Sequence, residues 1–407
     1  MIEAPPLDRS LGIYYYLYDD LYLGDVVTHI KSPVTFKVYE VSLDGSIASL
    51  EDCIYDYPGT KGKYVHLIMC KEGLDTIQAI HVVRRVVNAH VYYAGLKDAD
   101  SYSCQYLSVK FNRIRSRYYD LGRIKLCITG YGDYVIKRGY LLGNIFYVGL
   151  DLRSSNVDLG EVIKVLESIP NRYFLNYYGY QRFGTIRPVT HLVGRALVKR
   201  EWGEAVKLIA GTPSPLESVE VISAREEFEL GNYSKALKLF PKGLVIERRI
   251  TYSMMKYGDH LKALKSLGSE LINLYLGAYQ AYLFNKMLSR LIEYFKDVNE
   301  LRRAYPTLMV PGSNMKLRND ACSQIAEEII ESEGINISDF LIKDLGASAK
   351  TYARESAFRP EGFTYIPSPK GLWLSFTLPS GSYASILLRE LLRAGLPALK
   401  GVKATSH

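Results

Sequence analysis

Apolar periodicity changes twice along this chain, at about residue 190 and again at about residue 345, and this order restricts the fold more than any other feature. Before the first change strands and helices alternate. Thr35-Phe36-Lys37-Val38-Tyr39-Glu40-Val41 has period two, and Tyr64 to Met69 is almost continuously apolar, as strands are. Asp75-Thr76-Ile77-Gln78 then has the form of a capping box, with Ile77, Ile80, Val83 and Val87 following at helical spacing. Val91-Tyr92-Tyr93 and Tyr106-Leu107-Ser108-Val109 read as strands, as does Ile145 to Val148. A short helix from Leu159 to Glu167 is stopped by Pro170.

Between the two changes helical spacing dominates. Three stretches, around Ala205, Ala236 and Ala263, each read as a turn entering a short amphipathic helix. Their separations of 31 and 27 residues are too irregular for a solenoid and fit helical hairpins. Leu276, Tyr279, Leu283, Met287, Leu291 and Tyr294 form the stripe of the strongest helix. Strand texture returns in Leu372 to Leu378, closed by Pro379-Ser380-Gly381-Ser382, and a helix from about Tyr383 to Arg393 follows. The simplest architecture is one domain of strands and helices, made from the N-terminal half and the C-terminal segment, with a helical region inserted between them.

Several function classes are excluded early. The start Met1-Ile2-Glu3-Ala4-Pro5-Pro6 lacks the basic and apolar regions of a signal peptide, and no segment approaches 18 uninterrupted apolar residues, so a soluble cytoplasmic protein is expected. The five cysteines are scattered without a Cys-x-x-Cys, which supports neither a disulfide framework nor a zinc site. The seven histidines show no ligand spacing. His66 and His81 sit among apolar residues and read as satisfied core or edge histidines. Neither a Walker A run nor Gly-x-Gly-x-x-Gly occurs.

Charge is unevenly placed. Residues 101–200 hold 16 Lys and Arg against 6 Asp and Glu, whereas residues 1–100 are acidic and residues 201–300 neutral. Lys110, Arg113, Arg115, Arg117, Arg123 and Lys125 cluster with Tyr118 and Tyr119 interleaved. Cations that neutralise phosphates beside rings that stack on bases suit a nucleic acid, although the same run also fits a solvated basic face. Immediately upstream, Ala94-Gly95-Leu96-Lys97-Asp98 places a carboxylate on a turn between two strands, with Gly95 allowing a sharp exit. A carboxylate there fits either chemistry or an ordinary turn.

Four blocks together resemble the TruD family of pseudouridine synthases. They are Ala94 to Asp98 with Ser103 and Gln105; Asn176-Tyr177-Tyr178-Gly179-Tyr180-Gln181-Arg182-Phe183-Gly184; Ala278-Tyr279-Gln280-Ala281-Tyr282-Leu283-Phe284-Asn285; and Leu378 to Ser385 with Arg389-Glu390. The resemblance runs from Lys31 and Phe36-Lys37-Val38-Tyr39-Glu40 to Glu390. It implies an α+β fold with a mixed or antiparallel sheet, the catalytic domain being formed by residues 1–189 and 346–407 and the family's helical insert by residues 190–345. It also implies isomerisation of uridine to pseudouridine in tRNA, typically at position 13 of the D arm, with no metal and no organic cofactor; a monomer is expected.

Such a reaction breaks the C1′–N1 bond, turns the uracil and rejoins it through C5, so a carboxylate is needed beside the sugar. Asp98 matches the family's essential aspartate. Lys31 matches its conserved lysine, a cation that keeps a carboxylate charged in a closed pocket, while Lys97 would point elsewhere. Tyr178 stands where the family has phenylalanine. As an aromatic plate it would hold the flipped base, and its hydroxyl would help to remove the C5 proton. Tyr383 would form a second wall, and Asn176 would order the loop or bond to Asp98. Ser101 and Ser103 replace the family's alanine and threonine. Gln105, Gln181, Gly184 and Arg389 are assigned to structure. Arg113, Arg115 and Arg117 are the expected tRNA contacts. Two other readings use the same residues: an inactive RNA-binding protein of this fold, or a glycosidase pairing Asp98 with Asp100.

Overall fold

Asp75 starts the helix that follows it, as its capping box requires. Its carboxylate accepts from the Gln78 backbone N–H at 2.8 Å, and the Gln78 side chain accepts in return from the Asp75 N–H at 3.4 Å. The computed structural model describes residues 1–29, 31–54, 62–110, 116–137, 139–154 and 157–393. After a short helix, Pro6–Ser10, and two-residue strands at Ile2–Glu3, Tyr15–Tyr16 and Val27–Thr28, the chain forms β1 (Phe36–Val41), β2 (Tyr64–Glu72), α1 (Thr76–Val87), β3 (Val91–Tyr93), β4 (Tyr102–Lys110), β5 (Tyr118–Asp120), β6 (Ile124–Gly132), β7 (Gly143–Leu152) and α2 (Leu159–Ser168). Pro170 lies in the 3₁₀ turn just beyond α2.

The buried side of α1 carries Ile80, Val83 and Val87, packed on Val65, Leu67 and Met69 of β2 and on Leu107 and Val109 of β4. Ile77 does not join them and is exposed. Each three-residue step falls about 60° short of a full helical turn, so position 77 lies well around the cylinder from position 83.

The helices that follow are α3 (Thr190–Val198), α4 (Trp202–Ala210), α5 (Val219–Glu229), α6 (Tyr233–Leu239), α7 (Val245–Tyr257), α8 (His260–Lys265) and α9 (Ser269–Phe295). Leu276, Tyr279, Leu283 and Met287 of α9 fill their common core, whereas Tyr294 at the end of the stripe is exposed. Beyond them are β8 (Thr307–Val310), paired with β9 (Tyr352–Glu355), then β10 (Glu361–Ser368), β11 (Gly371–Pro379) and α10 (Ala384–Leu392).

Among the described residues one sheet has ten strands, with its main path in the order β10-β11-β7-β1-β4-β2-β6-β5. The short strand Val27–Thr28 joins β7, and β3 joins β4. The C-terminal strand β11 is therefore an interior strand of the sheet built by the N-terminal half. Phe146 of β7 stacks on Phe376 of β11 at 5.6 Å between ring centroids. Within this sheet, among the described residues, only β1 with β4 pairs in parallel, with Lys37 opposite Tyr102. The fold is α+β with a mixed sheet, as expected. The chain forms two compact units: one comprises Met1–Leu17 and Phe174–Ala357, the other Tyr18–Tyr173 and the chain from Phe358 onward. No helix among the described residues is long and apolar enough to cross a membrane.

The expectation of no disulfide framework is corrected by two bonds, Cys70–Cys104 and Cys53–Cys127. Sequence separations of 34 and 74 residues conceal the pairs. Strand register creates the first of them, because Cys70 of β2 stands directly opposite Cys104 of β4. The second ties the turn Leu50–Ile54 to β6. Cys322 is free.

Candidate active site

The parallel pairing of β1 and β4 brings the segments that enter both strands to the same end of the sheet. Lys31 precedes β1 and Asp98 precedes β4, and the Lys31 Nζ lies 2.6 Å from Asp98 Oδ2. The two side chains retain 14% and 32% of their exposure, so the lysine is largely sheltered while the carboxylate stays accessible. The Lys31 ammonium also stands 4.7 Å from the centre of the Phe36 ring.

The loop from Ala94 to Ser101 is clamped from beneath. Buried Gln105 donates to the Gly95 carbonyl at 3.1 Å and accepts from the Thr76 hydroxyl at 3.1 Å, while the Lys97 N–H donates to that hydroxyl at 2.8 Å. Lys97 turns away from Asp98, as expected, and pairs with buried Glu40 at 2.7 Å. The other oxygen of Glu40 accepts from the Tyr106 N–H. These bonds satisfy the loop's backbone locally and fix where Asp98 emerges.

Two readings change here. Gly95 is not among the glycines with positive φ. A Cβ at that position would sit 3.2 Å from both Glu40 Oε1 and Lys97 Nζ, so space beside the ion pair is what glycine provides. Ser101 does more than conserve size: its hydroxyl donates to the Asp98 carbonyl at 2.9 Å, which alanine could not do.

Lys71 was not anticipated. It is fully buried on β2, and its ammonium donates to the carbonyls of Asp98 at 2.7 Å and Leu74 at 2.6 Å. Burial pushes its pKa down from 10.5 to about 8; Asp98 and Asp75 oppose that shift, while Lys97 and Lys31 add to it. Below pH 8 both folded and unfolded chains carry the charge, and the cost of burying it is present in full. Between about 8 and 10.5 the unfolded chain holds more protons at this site, so stability rises with pH. Denaturant unfolding should show wild type gaining on the order of 2–3 kcal/mol relative to Lys71→Met between pH 7 and 10. A difference independent of pH would contradict this placement of the ammonium.

Tyr178 and Asn176 belong to the other unit, where Arg354 of β9 joins them. Its guanidinium lies 3.9 Å from the centre of the Tyr178 ring and donates to both the carbonyl and the side-chain oxygen of Asn176 at 2.8 Å. Asn176 thus orders its loop through Arg354, a partner far along the chain. The Tyr178 hydroxyl shares a 2.6 Å hydrogen bond with that of Tyr352, and Phe284 meets the ring edge-on. Tyr383 is half-buried at the N-cap of α10.

Arg117 is exposed; Arg113 and Arg115 lie outside the described residues. His66 is held by the Tyr134 carbonyl at 3.0 Å, whereas His81 is exposed on α1 rather than in a core. A cavity of about 510 Å³ lined by His66, Tyr106, Tyr134 and Tyr140 opens on the sheet face opposite α1, and neither Lys31 nor Asp98 lines it. Among the described residues no group of three His, Cys, Asp or Glu side chains could hold a metal ion.

The family model described as tRNA pseudouridine synthase D (TruD) matches residues 10–303 and 295–391. A "Probable tRNA pseudouridine synthase D" of Saccharolobus solfataricus is 32% identical over 95% of this chain and 97% of its own length. One of the same name from Pyrobaculum aerophilum is 30% identical over 98% and 100%. A crystal structure from Methanosarcina mazei carrying the TruD name covers 98% of this chain and 100% of its own, at 23% identity and a TM-score of 0.70, and it shares the fold.

Proposed function

This chain belongs to the tRNA pseudouridine synthase D (TruD) family, a family of isomerases, and from that premise we propose that it converts uridine to pseudouridine in tRNA with Asp98 as the catalytic carboxylate. The observation that carries the assignment of Asp98 is its contact with Lys31 at the shared end of the parallel pair β1 and β4. Asp98 acts at the sugar of a flipped-out uridine, where the C1′–N1 bond breaks and a C1′–C5 bond forms. N1 gains a proton and C5 loses one, so the reaction is an isomerisation with no cofactor to balance. Lys31 holds the carboxylate at the reacting sugar, and Lys71 sets its position from beneath through the Asp98 carbonyl. Residues 190–345 are read as the family insert, with residues 1–189 and 346–407 forming the catalytic domain. Closure of one sheet by β7 and β11 supports that reading.

The target is taken to be uridine 13 of the D arm. Sequencing-based pseudouridine mapping of unmodified tRNA treated with the protein should place the new pseudouridine there, and modification confined to other positions would remove that assignment. Tyr178 is proposed to pack on the flipped uracil while its hydroxyl assists loss of the C5 proton. Tyr178→Phe should slow single-turnover product formation about 10- to 100-fold, while unfolding shifts by less than about 1 kcal/mol, since Tyr352, which loses the bond, is itself an exposed residue. An unchanged rate would leave Tyr178 a packing role only. Tyr383 is read as the second wall of the base pocket, with Asn176 ordering the first, and Arg113, Arg115 and Arg117 as phosphate contacts.

A further inference from the structure

Residues 231–268 carry eight Lys and Arg against two Asp and Glu, and all of these cations except Arg248 are exposed, on and between α6, α7 and α8. On α7, Val245, Arg249, Tyr252 and Lys256 follow one another at intervals of four, three and four residues. They form a single exposed stripe. Lys242 lies just before it. Between α6 and α7 a groove of about 350 Å³ is lined by Leu237, Lys242, Val245, Arg248, Arg249 and Tyr252. Arg248 fixes the groove, because its guanidinium donates to the Leu237 and Phe240 carbonyls at the end of α6, at 2.6 and 2.7 Å.

The acidic members of the segment are already engaged. Glu247 pairs with buried Arg225, and Asp259 caps α8. Lys238, Lys242, Arg249, Lys256 and Lys265 form no ion pair with a carboxylate among the described residues. Tyr252 and Tyr257 leave about half of their surface exposed, and Lys256 and Lys262 stand 5.0 and 5.7 Å from the centre of the Tyr257 ring. A protein partner would want a contiguous apolar centre, and here the exposed apolar residues are separated by cations. Cations without carboxylate partners beside open tyrosine faces match a phosphate backbone with an unstacked base.

We infer that this surface is a second tRNA contact, in which Lys242, Arg249 and Lys256 neutralise phosphates and Tyr252 offers a stacking face beside the groove. The inference rests on the reading of the chain as an enzyme acting on tRNA. The test compares wild type, the triple charge reversal Lys242→Glu/Arg249→Glu/Lys256→Glu, and a control reversal Lys316→Glu/Lys343→Glu/Lys350→Glu elsewhere on the same unit. Affinity for one tRNA transcript is measured across a salt series, with unfolding midpoints and the rate at saturating tRNA. The first triple should bind at least about tenfold more weakly with a salt slope shallower by roughly 2, while its midpoint and saturating rate stay within error and twofold of wild type. Tyr252→Ala alone should weaken binding severalfold, and Tyr252→Phe should not. Equal weakening by the control, or none by the surface triple, overturns the inference while leaving the enzymatic reading intact. Wild type that forms no pseudouridine overturns that reading instead.

Discussion

Asp98→Asn lowers the single-turnover rate of pseudouridine formation by at least about 10⁴-fold, the scale expected when a group that makes or breaks covalent bonds is removed. The amide matches the carboxylate in size, and a third of the aspartate side chain is exposed, so the fold has little reason to respond. The carbonyl bonds from Lys71 and Ser101 involve the backbone and survive the change. The unfolding midpoint and tRNA affinity should therefore stay near wild type while the rate collapses. An accompanying loss of affinity of similar size would mean that Asp98 serves binding rather than chemistry.

Lys31→Met is the second large effect. Methionine fills a similar volume but removes the cation 2.6 Å from the carboxylate, and the expected loss is about 10²- to 10³-fold in kcat with KM changed much less. A partly exposed ion pair contributes at most about 1 kcal/mol to stability, so unfolding should barely register the substitution. Lys31→Arg keeps the charge and should recover part of the rate. In the double variant with Asp98→Asn, removal of Lys31 should cost almost nothing further, because the lysine acts through the aspartate. Independent, additive losses would show that Lys31 works elsewhere.

Much of the fold was legible because its signals are local. Capping by Asp75 and Gln78, alternation in β1 and β11, and the stripe of α9 each need only a dozen neighbouring residues. Errors occurred where geometry drifts or distance matters. Ile77 and Tyr294 satisfy a spacing rule yet lie off the buried face, and the Cys70–Cys104 pair exists only through the register of β2 against β4. The site divides in the same way. Asp98 and Lys31 could be read from family blocks, and the parallel pairing of β1 with β4 supplies the physical reason that they meet. Lys71 carried no motif signal; a lysine at the end of an apolar strand looks like a solvated terminus until α1 and the Asp98 loop close over it. Arg354 was hidden by its distance from Asn176 and Tyr178. The basic surface of α6 to α8 was concealed by counting charge over residues 201–300, where seven acidic residues before residue 231 cancel it.

The most direct test of the catalytic carboxylate uses tRNA labelled with tritium at C5 of uridine. Formation of the C1′–C5 bond expels that hydrogen, so release to solvent counts turnovers at the reacting atom itself. Wild type should release one equivalent of tritium per target uridine in a single turnover, and Asp98→Asn, bound to the same tRNA with similar affinity, should release none above background. Release by Asp98→Asn at the wild-type rate would contradict the assignment of Asp98 as the catalytic residue.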